Sequence, residues 1–137
     1  MVGKSEEYEP MDFKMLSCVA TAVFGALCLI LMVLPELIYW MFALEQAQVG
    51  DVLAKRAAML FLGFATLCFM ARDTMLDEVK QLVSVTVITA MVAMALLGTY
   101  EFWQGTVGAG IWIAILAEWG IAGLFFRGRP RGEAASK

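Results

Sequence analysis

Apolar residues in this chain fall in long runs, and four of the runs approach the ~20 residues that carry a helix across a hydrocarbon core about 30 Å thick. The first extends from Met15 to Leu34 and stops at Pro35, which lacks the N–H that a continuing helix needs. It is longer than the roughly 7 to 15 apolar residues of a signal-peptide core, and Glu6, Glu7, Glu9 and Asp12 precede it, so a retained helix is expected. The second begins near Asp51, a candidate N-cap, and reaches Ala71, although its uninterrupted part starts only after Lys55 and Arg56. The third covers about Leu82 to Trp103. The fourth covers about Gly110 to Phe126 and is followed by the basic segment RGRPRGEAASK. Open-ended chains satisfy every backbone group inside lipid only as helices. The pattern therefore predicts an all-α, antiparallel four-helix transmembrane bundle over residues 15–126, with spans at 15–34, 52–71, 82–103 and 110–126. Short tails flank it at 1–14 and 127–137.

Between the first two spans lies PELIYWMFALEQAQVG, whose apolar residues Leu37, Ile38, Met41, Phe42 and Leu44 fall mostly on one side of a helical projection. Two readings fit. The segment is either a short helix lying in the membrane interface or a continuation of the first helix past a proline kink. In both, Glu36 sits where a carboxylate favours the positive end of a helix.

Composition sharpens the picture. At 61% hydrophobic residues the 137-residue chain is a membrane protein, and what remains outside the spans is too short for a separate soluble core. The net charge of -3 and the lack of a long basic run make nucleic acid an unsuitable partner. No histidine is present, which removes His-ligated haem and chlorophyll, most zinc and copper sites, and Ser-His or Cys-His nucleophiles. Cys18, Cys28 and Cys68 lie in apolar runs without C-x-x-C spacing and read as packing residues. Ten scattered methionines form no thioether cluster, so no metal site and no cofactor is expected.

Basic residues also set an orientation. The tails and the loop after the second span hold Lys4, Lys14, Arg72, Lys80, Arg127, Arg129, Arg131 and Lys137, and the other side holds Lys55 and Arg56. The positive-inside rule places both termini in the cytoplasm. Tyr39, Trp40, Tyr100, Trp103 and Trp112 cluster at the opposite ends of the spans, as an interfacial aromatic belt does.

Within the fourth span, AILAEWGIAG places Glu118 roughly 12 Å from either surface, beyond the reach of snorkelling. Ala114, Ala117, Ala122 and Gly110 give it a small-residue face, which marks close helix approach and points the carboxyl group into the bundle. A charge at that depth costs about 2.5 to 3.5 kcal/mol unless it is paired or protonated. Arg56 stands roughly 10 Å too high to pair with it, but close in depth to Glu101. Side chains lean toward their own helix N-terminus, so Arg56 and Glu101 are expected to meet, either as an ion pair fixing register or as a polar entrance leading to Glu118. A protonated Glu118 can donate a hydrogen bond to Thr86 or Thr89 on the third span, or to Thr21 on the first. Ser17, Thr21 and Gly25 on the first span, and Thr86, Thr89, Ala90 and Ala93 on the third, read as packing seams. The loop QGTVGAG has no phosphate-loop lysine and reads as a tight turn, and ARDTMLDEVKQ reads as a solvated turn that can dock a cytoplasmic partner.

The succession LPELIYWMF, AKRAAMLFLGFATLCFMAR, LLGTYEFW and GAGIWIAILAEW, spread over nearly the whole chain, resembles small bacterial four-helix membrane proteins that are loosely DoxX-like. That resemblance implies a compact antiparallel bundle in the bacterial inner membrane with both ends inside. Some DoxX-like proteins look like subunits of quinone- or thiosulfate-oxidising assemblies, and no redox residue of that kind is matched here. Three function classes follow. The first is an accessory or assembly subunit, in contact with membrane lipid and with another membrane protein or itself. The second is a small homo-oligomeric proton-coupled transporter using Glu118; small multidrug transporters are similar in length and span number but carry their carboxylate on the first helix. An enzyme would have only Glu118, Glu101 and Arg56 to work with.

Overall fold

The computed structural model describes residues 12–45 and 48–129. The described chain is all-helical: α1 (Phe13–Val33), α2 (Pro35–Phe42), α3 (Gln48–Ala71), α4 (Asp77–Trp103) and α5 (Ile111–Gly128). Four of these, α1, α3 from Val52 onward, α4 and α5, are long and apolar enough to cross a membrane, which makes this a multi-pass membrane protein built as a helical bundle. Its outer surface fits that medium. Leucines in the middle of helices face outward, Leu60 of α3 at 70% exposure among them.

Each helix boundary has a local cause. The Asp12 carboxylate accepts a hydrogen bond from the Lys14 backbone N–H and opens α1. At the other end the Leu34 N–H still donates to the Ile30 carbonyl at 2.8 Å, but Pro35 has no N–H to offer Leu31. The helix breaks at Leu34, and Pro35 becomes the first residue of α2, where a missing N–H costs nothing. Of the two readings of this segment, a separate short helix is the one observed. It ends at Ala43, which takes the left-handed conformation (φ 54°). Helix α3 starts at Gln48, so Asp51 lies within the helix and does not cap it. Asp77 and Glu78 occupy the first turn of α4, and Arg127 the last turn of α5, both favourable to the helix dipoles.

The helices associate as two pairs. α1 lies along α3 and α4 lies along α5 over most of their lengths, whereas α3 meets α4, and α1 meets α5, only over short stretches. At the end where α1 begins, all four spans contribute to one core built on Leu16, Phe24, Cys68, Val87, Met91 and Phe125. Phe24 is fully buried there, its ring centroid 6.1 Å from that of Phe61 and 5.6 Å from that of Phe64. Toward the other end this core divides. Cys28, Leu31 and Ala58 close the α1–α3 pair with Ile38 of α2 packed against them, and Ala95, Ile111 and Ile115 close the α4–α5 pair with Phe42 of α2 beside them. The bundle is closed at one end and forked at the other, with α2 reaching across the fork.

Two glycines in the turn between α4 and α5 hold α2 in that position. The Gly108 N–H donates to the Phe42 carbonyl at 2.6 Å. Gly110 presses on the Met41 carbonyl so closely that no Cβ fits between them.

The packing seam expected on α4 is not where the helices meet. Of its members only Ala90 packs against the core; Thr86, Thr89 and Ala93 are exposed, and the buried stripe is Val83, Ser84, Val87, Met91, Ala95 and Gly98. On α1 the expectation fares better at its lower end: Ser17 is fully buried, and the Thr21 hydroxyl donates to the Ser17 carbonyl at 2.8 Å and approaches the Ala65 carbonyl of α3 at 3.4 Å. The tail residues that carry much of the orientation argument, Lys4, Arg131 and Lys137, lie outside the described residues.

Candidate functional site: an apolar cleft with two carboxylates

The fork encloses a cleft of about 360 Å³, within the range of ligand pockets. Its walls come from every helix: Leu27 and Leu31 of α1, Ile38 and Phe42 of α2, Phe61 of α3, Met94 and Leu97 of α4, and Ala114 and Ile121 of α5 are representative. Among the described residues two ionisable side chains line it, Glu101 of α4 and Glu118 of α5, and no lysine or arginine does.

Helical periodicity explains how both acids reach one cavity. On α5, Ile111, Ala114, Glu118 and Ile121 follow each other at three- and four-residue intervals and form one stripe facing the cleft. On α4, Met91, Met94, Leu97 or Gly98, and Glu101 do the same. Gly98 lets the two helices close up, since a Cβ there would stand 3.2 Å from the Ile115 side chain. Glu101 lies two residues from the end of α4, at the forked end, and Glu118 lies seven residues into α5, a descent of about 10 Å. One acid stands near the mouth and the other near mid-membrane.

The expected partners are elsewhere. Arg56 is exposed and does not line the cleft, and it forms no ion pair with Glu101. The two agree in depth but not in direction, because α3 turns Ala57 and Phe61 to the cleft and carries Arg56 about 100° away from Ala57 around the helix. From an exposed face the long Arg56 side chain can extend toward headgroups. The threonine hydroxyls are not available to Glu118 either: Thr86 donates to the Leu82 carbonyl at 2.9 Å, Thr21 donates to its own helix, and Thr89 is exposed and does not line the cleft. Among the described residues Glu118 has neither an ion pair nor a hydrogen bond. Half-buried at mid-helix, it faces the cleft with no cation to balance it.

The aromatic residues gather at the forked end. Trp40, Tyr100, Trp103 and Trp112 are exposed there; the Trp112 ring meets Phe102 edge-on with centroids 5.5 Å apart, and the Gln104 side chain donates to the Tyr100 hydroxyl at 2.8 Å. Tyr39 differs, being half-buried with its hydroxyl against Gly50 of α3.

At the closed end the charges pair with one another. Asp73, in the turn between α3 and α4, accepts from the Lys14 ammonium at 2.8 Å and from the Arg72 Nε at 2.9 Å. The Lys14 hydrogen bond, followed by that of Arg72, holds the Asp73 carboxyl below the usual carboxylate range. Lys80 pairs with Asp77 at 3.1 Å within the first turn of α4, and Arg129 lies over the Phe126 ring at 4.3 Å.

What sequence reasoning missed is the cleft itself and the role of α2 in roofing it. The stripes on α4 and α5 were there to be found, by stepping three and four residues back from each acid. No protein-family model, no curated protein and no solved structure matches this chain.

Proposed function

We propose that this protein is a small membrane carrier for an organic cation, with Glu118 as the intramembrane group that ligand and proton share. The observation that carries the reading is a cavity walled by apolar side chains that contains, among the described residues, two carboxyl groups and no basic group. Such a site repels anions, gives water little to bind, and suits a solute with an apolar body and one positive charge. Phe42 and Phe61 add aromatic rings to the lining, a kind of side chain that attracts quaternary or protonated amines. A lone carboxylate at mid-membrane is expensive, so in the empty cleft Glu118 carries a proton. Arrival of the cation releases that proton to water and leaves a carboxylate–cation pair of no net charge. Glu101, nearer the forked end, adds a second carboxyl group between Glu118 and the water on that side, along the way out for the displaced proton. The cleft lies within one chain, so this reading needs no second copy. The basic flanks favour an orientation with the closed end and both termini on the cytoplasmic side and the fork outward, and the carrier reading takes a bacterial inner membrane as its setting.

The test uses liposomes containing the purified protein and an internal pH dye. A gradient of decyltrimethylammonium is expected to drive proton movement in the wild type and none in Glu118→Gln, with thermal unfolding of the two alike. Equal proton movement in the Gln variant overturns the reading.

A second reading, an accessory subunit of a larger membrane assembly, draws on a different observation. Gly63 of α3 and Gly120 and Gly123 of α5 have open space where a Cβ would be, leaving small-residue surfaces that another helix can approach closely. Purification from native membranes without crosslinker separates the two, since an assembly subunit brings a larger partner in fixed stoichiometry.

A further inference from the structure

Resting on the carrier reading, we infer that the cleft is loaded sideways from the bilayer, through the two thin seams between the helix pairs, and that its ligand is therefore a cation already dissolved in the membrane. Both axial routes are obstructed. At the closed end the four-helix core fills the space with Leu16, Phe24, Val87 and Phe125, each at most 1% exposed. At the forked end α2 lies over the opening, with Ile38 and Phe42 forming part of the lining, and it is held there by the Gly108 hydrogen bond and by the Gly110 contact with Met41.

The lateral directions differ. α3 and α4 meet only over a short stretch, and α1 and α5 likewise. Residues that line the cleft are also exposed on the outside of the molecule: Met94 and Leu97 of α4, the latter at 56%, and Ala117 of α5. A wall residue that is exposed on a membrane-spanning face looks onto acyl chains. The cleft is therefore continuous with lipid, while α2 bars a solute of this size from entering out of the water at the forked end.

Size and charge complete the ligand class. About 360 Å³ holds roughly twelve water-sized groups, the scale of one ammonium head and a chain of about ten carbons. Two carboxylates without a basic neighbour select the positive head, and the leucine, isoleucine and methionine walls accept the chain. A hydrophilic ion such as tetramethylammonium lacks the second element and does not concentrate in the bilayer.

Association kinetics test the route. The protein in nanodiscs is mixed with alkyltrimethylammonium ions from hexyl to decyl below their micellar concentrations, alongside Glu118→Gln as the reference for binding at the cleft. Loading from lipid predicts an association rate, referred to the aqueous concentration, that rises about fourfold per added CH₂, following membrane partition. Leu97→Trp and Ala117→Trp, which narrow the two seams, are expected to slow association at least tenfold. An Ala43→Cys/Gly108→Cys disulfide ties α2 to the α4–α5 turn. A Cβ on Gly108 would lie 2.8 Å from that of Ala43, so forming the bond asks the two segments to part by about 1 Å. The tied protein is expected to load within twofold of the wild-type rate. A rate independent of chain length, together with loss of loading in the tied protein, overturns the lateral route and leaves Glu118-dependent binding standing. Binding that Glu118→Gln does not alter means the cleft holds acyl chains only, and overturns the route and the carrier reading together. If a tryptophan variant fails to fold, the chain-length series and the tied protein decide.

Discussion

Replacing Phe24 with alanine measures how much packing alone contributes when both folded and unfolded helices sit in lipid. Phe24 is fully buried at the base of the cleft, with Phe61 and Phe64 against its ring. In a water-soluble core a Phe→Ala change costs about 3 to 5 kcal/mol, the sum of lost transfer from water and the cavity left behind. Here the unfolded reference keeps α1 in the bilayer, so the transfer part largely cancels. What remains is a void of about 100 Å³, which at about 24 cal/mol per Å³ amounts to roughly 2.4 kcal/mol. Two lost ring contacts add up to about 1 kcal/mol each, giving a total of about 3 to 4 kcal/mol. Because Phe61 also lines the cleft, the void adjoins it, and a merger enlarges the cleft by roughly a quarter. The assay is steric-trap unfolding in bicelles, with Phe24→Leu as a control expected to lose about 1 kcal/mol. A loss below 1 kcal/mol for Phe24→Ala refutes the reasoning, because it means that the four-helix core does not close around this ring.

Three further perturbations probe other parts of the molecule. Leu60→Asp, at the middle of α3 and outward-facing, is expected to lower membrane insertion of that span by about 2.5 to 3.5 kcal/mol in a glycosylation-mapping assay, whereas unchanged insertion argues against a lipid-facing position. Gly110→Ala places a Cβ on the Met41 carbonyl, where backbone on both sides must shift; a loss of about 1 to 3 kcal/mol is expected, with proteolytic cleavage appearing near α2, and wild-type stability refutes the contact. The Asp73 carboxyl is held below its usual range in the folded protein, so its contribution is present above the unfolded value of about 3.9 and disappears as the pH falls through the folded one. Asp73→Asn is accordingly expected to lower the unfolding temperature slightly at pH 6 and not at all near pH 2, and a difference that persists in acid refutes the sign.

The sequence made the spans and the break at Pro35 legible because length, apolarity and a missing N–H act locally, without reference to neighbouring helices. Glu118 was legible as an inward-facing group for the same reason, from the alanines around it. Partner assignments were harder. Depth along a helix placed Arg56 beside Glu101, but contact also requires the right angle around the axis, which depends on how α3 is rotated in the bundle. The threonines looked available to Glu118, yet in an apolar medium a hydroxyl turns to the carbonyl four residues back, as Thr86 and Thr21 do. Small residues on α4 suggested a seam at Thr86, Thr89, Ala90 and Ala93, while of these only Ala90 packs in the bundle, whose stripe runs around the helix from it through Val87, Met91, Ala95 and Gly98. Small size permits close approach and does not compel it. The division into two helix pairs left no single-residue signal, since it depends on which faces match across space.

That division has a consequence for biogenesis. Each tightly packed pair consists of spans that are consecutive in the chain, so the first hairpin can form its own contacts, including the Lys14–Asp73 bond, before the second has left the ribosome. Severing the backbone between Met75 and Leu76 would break no tight pair, and two separately expressed halves should find each other in the bilayer and rebuild the forked bundle.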